Sequence, residues 1–102
     1  MSMLHTVNKS PFERNALESC LRMATPGSAV LLMEDGVYAA LAGTAKSALV
    51  EGRQGELNFH VLAADLDARG LAEKPLIDGV ETVDYSGFVD LVTANDAMQA
   101  WL

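Results

Sequence analysis

Short apolar runs alternate along this chain with stretches in which apolar residues recur every three or four positions. Leu4 to Val7 is a run with a β-branched bias and predicts a first strand. Ser10-Pro11-Phe12-Glu13 has the form of a helix start, with Ser at the N-cap, Pro at the first helical position and Glu at the third. The helix it opens is predicted to run to about Ala24, where Pro26-Gly27 stops it. Ala29 to Met33 is continuously apolar between Gly27 and Asp35-Gly36, the pattern of a strand covered on both faces. Val37 to Val50 carries Tyr38, Leu41, Ala42, Ala45 and Leu49 near helical spacing and predicts a second helix, weakened by Gly43. Leu57 to Ala63 predicts a third strand, Asp65 to Gly70 a single helical turn closed by its glycine, and Val80 to Val83 a fourth strand. Ser86 to about Thr93 predicts a helix with Phe88, Leu91 and Val92 on one face, and a last turn from Asn95 carries Met98, Trp101 and Leu102.

Strands alternating with helices imply βαβ units and right-handed crossovers. The predicted fold is therefore α/β: a single layered domain over residues 1–102, with a mainly parallel sheet of four to five strands and helices on both faces. The loop after the first strand, Asn8-Lys9-Ser10-Pro11, has neither G-x-G-x-x-G nor a P-loop, so the backbone cradle for a nucleotide phosphate is missing. Repeats, low-complexity segments and long linkers are absent from the sequence.

Charge narrows the partners. The net charge is −7, with 14 acidic against 7 basic residues and no basic run. Binding to nucleic acid or to an anionic membrane surface needs clustered Lys and Arg, so neither is expected. One cysteine excludes an intrachain disulfide and suits a reducing compartment. Met1 to His5 lacks a basic stretch leading into an apolar one, and the longest apolar runs are far shorter than a membrane span. The chain is expected to be soluble and cytoplasmic.

Few residues offer chemistry. Cys20 sits in the first predicted helix, with Ala16, Leu17, Met23 and Ala24 as its helical neighbours. That setting fits either a buried core thiol or a nucleophile. Ser10 as helix start puts Cys20 about three turns from the N-terminus, too far for the dipole to activate it. Glu18 opposes ionisation, and Arg22 assists it modestly if its side chain leans back. His5 and His60 fall in strands and read as packed or hydrogen-bonded residues; two histidines without a third ligand make a weak metal site. Glu34-Asp35 and Asp84-Tyr85 follow strands, where open parallel sheets bind ligands, although helix capping or solvation also accounts for the acids, Asp65 included. Trp101 and Leu102 are either docked on the sheet or offered to a partner.

Four segments in order resemble the DsrH/TusB family. Leu4-His5-Thr6 with Ser10-Pro11 is similar to its opening. Leu31 to Ala40, LLMEDGVYAA, resembles its L-L-x-x-D-G-x-x-A-A segment. Asp65 to Gly70, DLDARG, resembles its D-L-x-A-R-G turn, and Asp84 to Leu91 its D-Y-x-x-F-V-x-L stretch, ahead of a terminal tryptophan, here Trp101. The resemblance implies a DsrE-like fold and a subunit of a cytoplasmic sulfur relay. The implied partners are DsrE/TusD-like and DsrF/TusC-like subunits in a heterohexamer, and a DsrC/TusE-type carrier that receives persulfide sulfur. The principal cysteine of such complexes lies on the DsrE/TusD subunit. The DsrH branch also has a cysteine on its first helix, which makes Cys20 the candidate persulfide carrier and points to dissimilatory sulfur oxidation. The alternative is a non-catalytic structural subunit of the tRNA 2-thiouridine relay. Thiol–persulfide exchange needs no metal or organic cofactor. A carrier role requires a reachable thiol, so Cys20 is expected to be partly exposed near the carboxyl-end rim of the sheet or a subunit groove, and Cys20→Ser is expected to fold almost normally. The apolar C-terminus is expected to be buried against other subunits.

Overall fold

The computed structural model describes residues 2–102, so Met1, included in the predicted domain and in the reading of the N-terminus, lies outside the described residues. Five strands form one sheet: β1 (Met3–Val7), β2 (Ala29–Leu32), β3 (Asn58–Leu62), β4 (Glu81–Val83) and β5 (Ala97–Trp101). Their order is β4-β3-β2-β1-β5, and every pairing is parallel. The all-apolar β2 is buried at each of its four positions, as a central strand covered on both faces must be.

The pleat sorts side chains onto two faces. His5, Val30 and Phe59 share one row and one face; Thr6, Leu31 and His60 share the next row and point the other way. The first face carries the larger core, where Val7, Val30, Leu32, Phe59 and Val61 meet Leu17, Cys20 and Leu21 of α1 (Ala16–Met23). A 3₁₀ segment (Glu34–Ala40), α2 (Ser47–Glu51) and α3 (Ala63–Ala68) complete this layer. On the opposite face Leu4, Leu31, Leu62 and Val83 pack with Phe88 and Leu91 of α4 (Tyr85–Ala94). Each fully buried Leu or Phe contributes roughly 1.5–3 kcal/mol, so the sheet is held from both sides.

Three local predictions fail for identifiable reasons. Ser10-Pro11 opens a separate turn, in which the Ser10 carbonyl accepts from Glu13 and Arg14 N–H and Ser10 Oγ from Phe12 N–H at 3.2 Å; α1 begins only at Ala16. The predicted helix over 37–50 is broken. Gly43 takes a left-handed φ of +74°, Leu41 forms an antiparallel bridge to Leu76, and Ser47 Oγ donates to the Leu41 carbonyl at 2.7 Å while accepting from Thr44 N–H. Ser and Thr side chains here supply the bonds that a helix would have made along its own backbone. The third failure is the C-terminal turn, which is strand β5. Met98 and Trp101 are spaced like a helix face, and Ala and Gln have little β-propensity, but pairing along the whole of β1 outweighs that. Asp96 starts the strand by accepting Ser2 N–H at 2.9 Å and donating its own N–H to the Ser2 carbonyl.

Candidate functional site

Cys20 is the fifth residue of α1 and points inward. The helical period places Ala16, Leu17, Cys20, Leu21 and Ala24 on its buried side. The thiol is 0% exposed within the larger core, which replaces the expected partial exposure. Burial pushes its pKa up to about 12, because a thiolate in apolar surroundings has lost its hydration; the Arg53 guanidinium offsets only part of this. Arg22, the cation expected to assist, lies within 3.5 Å of Ser19 Oγ at the surface. A groove of about 400 Å³ runs between α1 and α2, lined by Glu18, Leu21, Arg22, Leu49 and Arg53, but Cys20 does not reach its wall.

Arg53 is the residue that the sequence did not signal. It lies in a polar turn with nothing around it to mark a role. Its guanidinium donates to the Leu21 and Ala24 carbonyls and pairs with Glu56 at 3.0 Å. It thus caps the C-terminus of α1 with positive charge, where the unpaired carbonyls and the helix dipole both favour it.

The segments singled out by resemblance converge at the carboxyl end of the sheet. Arg69 donates through Nε to Asp35 Oδ1 at 2.9 Å, with a second nitrogen at 2.9 Å from the same oxygen. Asp65 accepts Glu34 N–H at 2.6 Å, and Glu34 adopts a left-handed φ of +50°. Gly36 lies so close to β1 that a Cβ would overlap the Val7 carbonyl oxygen. Asp35, Gly36, Asp65 and Arg69 therefore latch two crossovers together, and Asp35 also lines a pocket of about 290 Å³ with Ser10, Phe12, Glu13 and Tyr38. Asp84 caps α4 by accepting Gly87 N–H at 2.8 Å, as capping predicts, and the adjoining Tyr85 is 60% exposed.

The two histidines lie on opposite faces and cannot share a ligand. His5 is buried, and its Nδ1 accepts the Trp101 indole N–H at 3.0 Å, which docks the terminal tryptophan on the sheet. His60 Nδ1 stands 3.7 Å from Glu81 Oε1, beyond hydrogen-bond reach. Burial lowers both imidazole pKa values, with Glu81 opposing the shift at His60. Among the described residues, no group of three or more His, Cys, Asp and Glu side chains could hold a metal ion, and no helix is long and apolar enough to cross a membrane.

A family profile described as "DsrH like protein" matches residues 9–98, most of the chain, taking in Ser10-Pro11 and the three later segments. The chain belongs to the DsrH-like family. Proteins named TusB resemble it end to end. That of Erwinia tasmaniensis is 41% identical over 100 residues, covering 97% of this chain and all of that protein. That of Pectobacterium parmentieri is 36% identical with the same coverage. Among solved structures, the ychN protein from E. coli superposes with a TM-score of 0.82 across 98% of each chain at 20% identity, a likeness of fold.

Proposed function

We propose that this DsrH-like chain is a cytoplasmic, structural subunit of a sulfur-relay complex of the TusB type, serving tRNA 2-thiouridine formation. In this reading its partners are TusD-like and TusC-like subunits, and a TusE-like carrier receives the sulfur. The observation that carries the structural role is the sealing of Cys20. Persulfide exchange needs an ionised thiol and in-line access to its sulfur. A thiol with a pKa of about 12 is ionised to only about one part in 10⁵ at neutral pH, and here the sulfur is also covered. The full-length likeness to proteins named TusB supports the tRNA branch.

The second reading keeps Cys20 as persulfide carrier in a dissimilatory sulfur-oxidation complex with DsrE-like and DsrF-like subunits and a DsrC-like acceptor. Its support is the presence of a cysteine on α1 at all. One experiment separates the two. The native complex is incubated with a sulfane-sulfur donor and each subunit is weighed intact by mass spectrometry. The structural reading expects the mass of an added sulfur atom on a partner subunit and none on this chain, with sulfur transfer unchanged in a Cys20→Ala complex. An added sulfur on this chain that disappears in Cys20→Ala returns Cys20 to the relay.

A further inference from the structure

The sheet ends in two unlike edges. At one edge β4 has three residues and opens with Glu81, the short, charged form that deters pairing with another chain. At the other, β5 hydrogen-bonds only to β1 and offers its outer row of N–H and C=O groups along five residues. Ala97-Met98-Gln99-Ala100-Trp101 contains no charge, no proline and no glycine, and Met98 to Ala100 are all exposed. In a chain with 14 acidic and 7 basic residues this is a neutral, unprotected edge.

We propose that β5 pairs with β5 of a second copy of this chain, antiparallel about a twofold axis through Gln99. The sequence of the strand is its own complement in that register. Met98 of one copy stands beside Ala100 of the other, and Trp101 beside Ala97, so each large side chain meets a small one on both faces of the sheet. Gln99 meets Gln99, and a side-chain amide both donates and accepts, so the pair at the axis is satisfied by like groups. Two sheets join into one of ten strands, since the twofold doubles the observed five. The occupant is a second copy because the strand complements itself in that register, and, lacking charge, it is where two chains of net charge −7 can meet with least repulsion. Met98, 53% exposed in the single chain, becomes partly covered. An interface built on one strand from each copy is small and belongs to the weak class. This pairing does not depend on the sulfur-relay reading.

The test is sedimentation equilibrium of the isolated full chain over a concentration series, with Gln99→Lys and Gln99→Glu variants whose fold is checked by circular dichroism. The wild type is expected to associate to a dimer. Either variant, placing like charges face to face, is expected to raise the dissociation constant by about tenfold or more. An equimolar mixture of the two variants is expected to restore a dimer at least as tight as the wild type. A wild type that stays monomeric to its solubility limit, or a dimer that both variants leave unchanged, overturns the proposal. So does a mixture that fails to recover dimerisation when each variant is folded.

Discussion

At the residue scale the structure separates two buried groups, a cysteine and a histidine. Cys20 is fully buried in the apolar core, and among the described residues its thiol has no hydrogen-bond partner. Cys20→Ser buries a hydroxyl there, so the near-normal folding expected from the small volume change gives way to a loss of about 1–3 kcal/mol. Cys20→Ala removes only the sulfur and costs less, about 1 kcal/mol. Urea melts of the three proteins check the order, and native Cys20 is expected to resist a thiol reagent that labels it at once in denaturant. His5 differs in having one polar partner, the Trp101 indole. The sign of its pH effect follows from burial, which holds its folded pKa below the ordinary 6.5. As pH falls through 6.5 the unfolded chain takes up a proton first, so stability is full above that pH and drains below it. His60 is lowered too and adds to the same drain. A His5→Phe variant is therefore expected to show a shallower loss of stability on acidification than the wild type. Trp101→Phe, which strands the His5 acceptor, is expected to cost about 1–3 kcal/mol at neutral pH.

At the element scale, what was legible and what was not divides by the range of the interactions. β2 could be read because four consecutive apolar residues have few homes other than a central parallel strand, and α3 because Gly70, at a φ of +69°, closes it. β5 could not, since its strand character comes from β1, some ninety residues away, and the Asp96–Ser2 bonds that start it spring from loop-like residues. The region 37–50 failed because Gly43 and the Ser47 and Thr44 hydroxyls act through backbone shape and local bonds that hydrophobic spacing does not record. Of the candidate site, Cys20 was found by its chemistry, but its burial depends on a core assembled from segments distant in sequence, and Arg53 only acquires meaning once α1 lies beside its turn. Gly36 shows the same dependence in a testable form. Its place in a D-G pair marks a turn, whereas the structure requires it because the Val7 carbonyl passes where a Cβ would sit. Gly36→Ala must move β1 or the 3₁₀ segment, so a loss of more than about 3 kcal/mol is expected, well above the usual Gly-to-Ala effect. Hydrogen exchange in the variant is expected to rise first in residues 34–40 and β1. An unchanged melting temperature would show that the close approach relaxes freely.

At the scale of the whole molecule, charge decides what this chain can touch. A protein that holds RNA through its phosphates needs several free cations on one surface, and each contact made steepens the dependence on salt. The chain has 7 basic residues, and the fold occupies three of them. Arg53 is committed to α1 carbonyls and Glu56, Arg69 to Asp35 and Asp65, and Lys46 stands 3.7 Å from Glu18. The remaining four, Lys9, Arg14, Arg22 and Lys74, are scattered along the sequence among 14 acids. Even a subunit serving tRNA thiolation should therefore leave the RNA to other proteins and act on protein surfaces alone. The isolated chain is expected to retain no tRNA in a filter-binding assay at physiological salt, and lowering the salt is expected to bring little gain, because too few phosphates can be neutralised at once. Binding that strengthens steeply as salt is withdrawn would mean that these four cations converge on a common face, and direct RNA contact would then return to the account of what this subunit does.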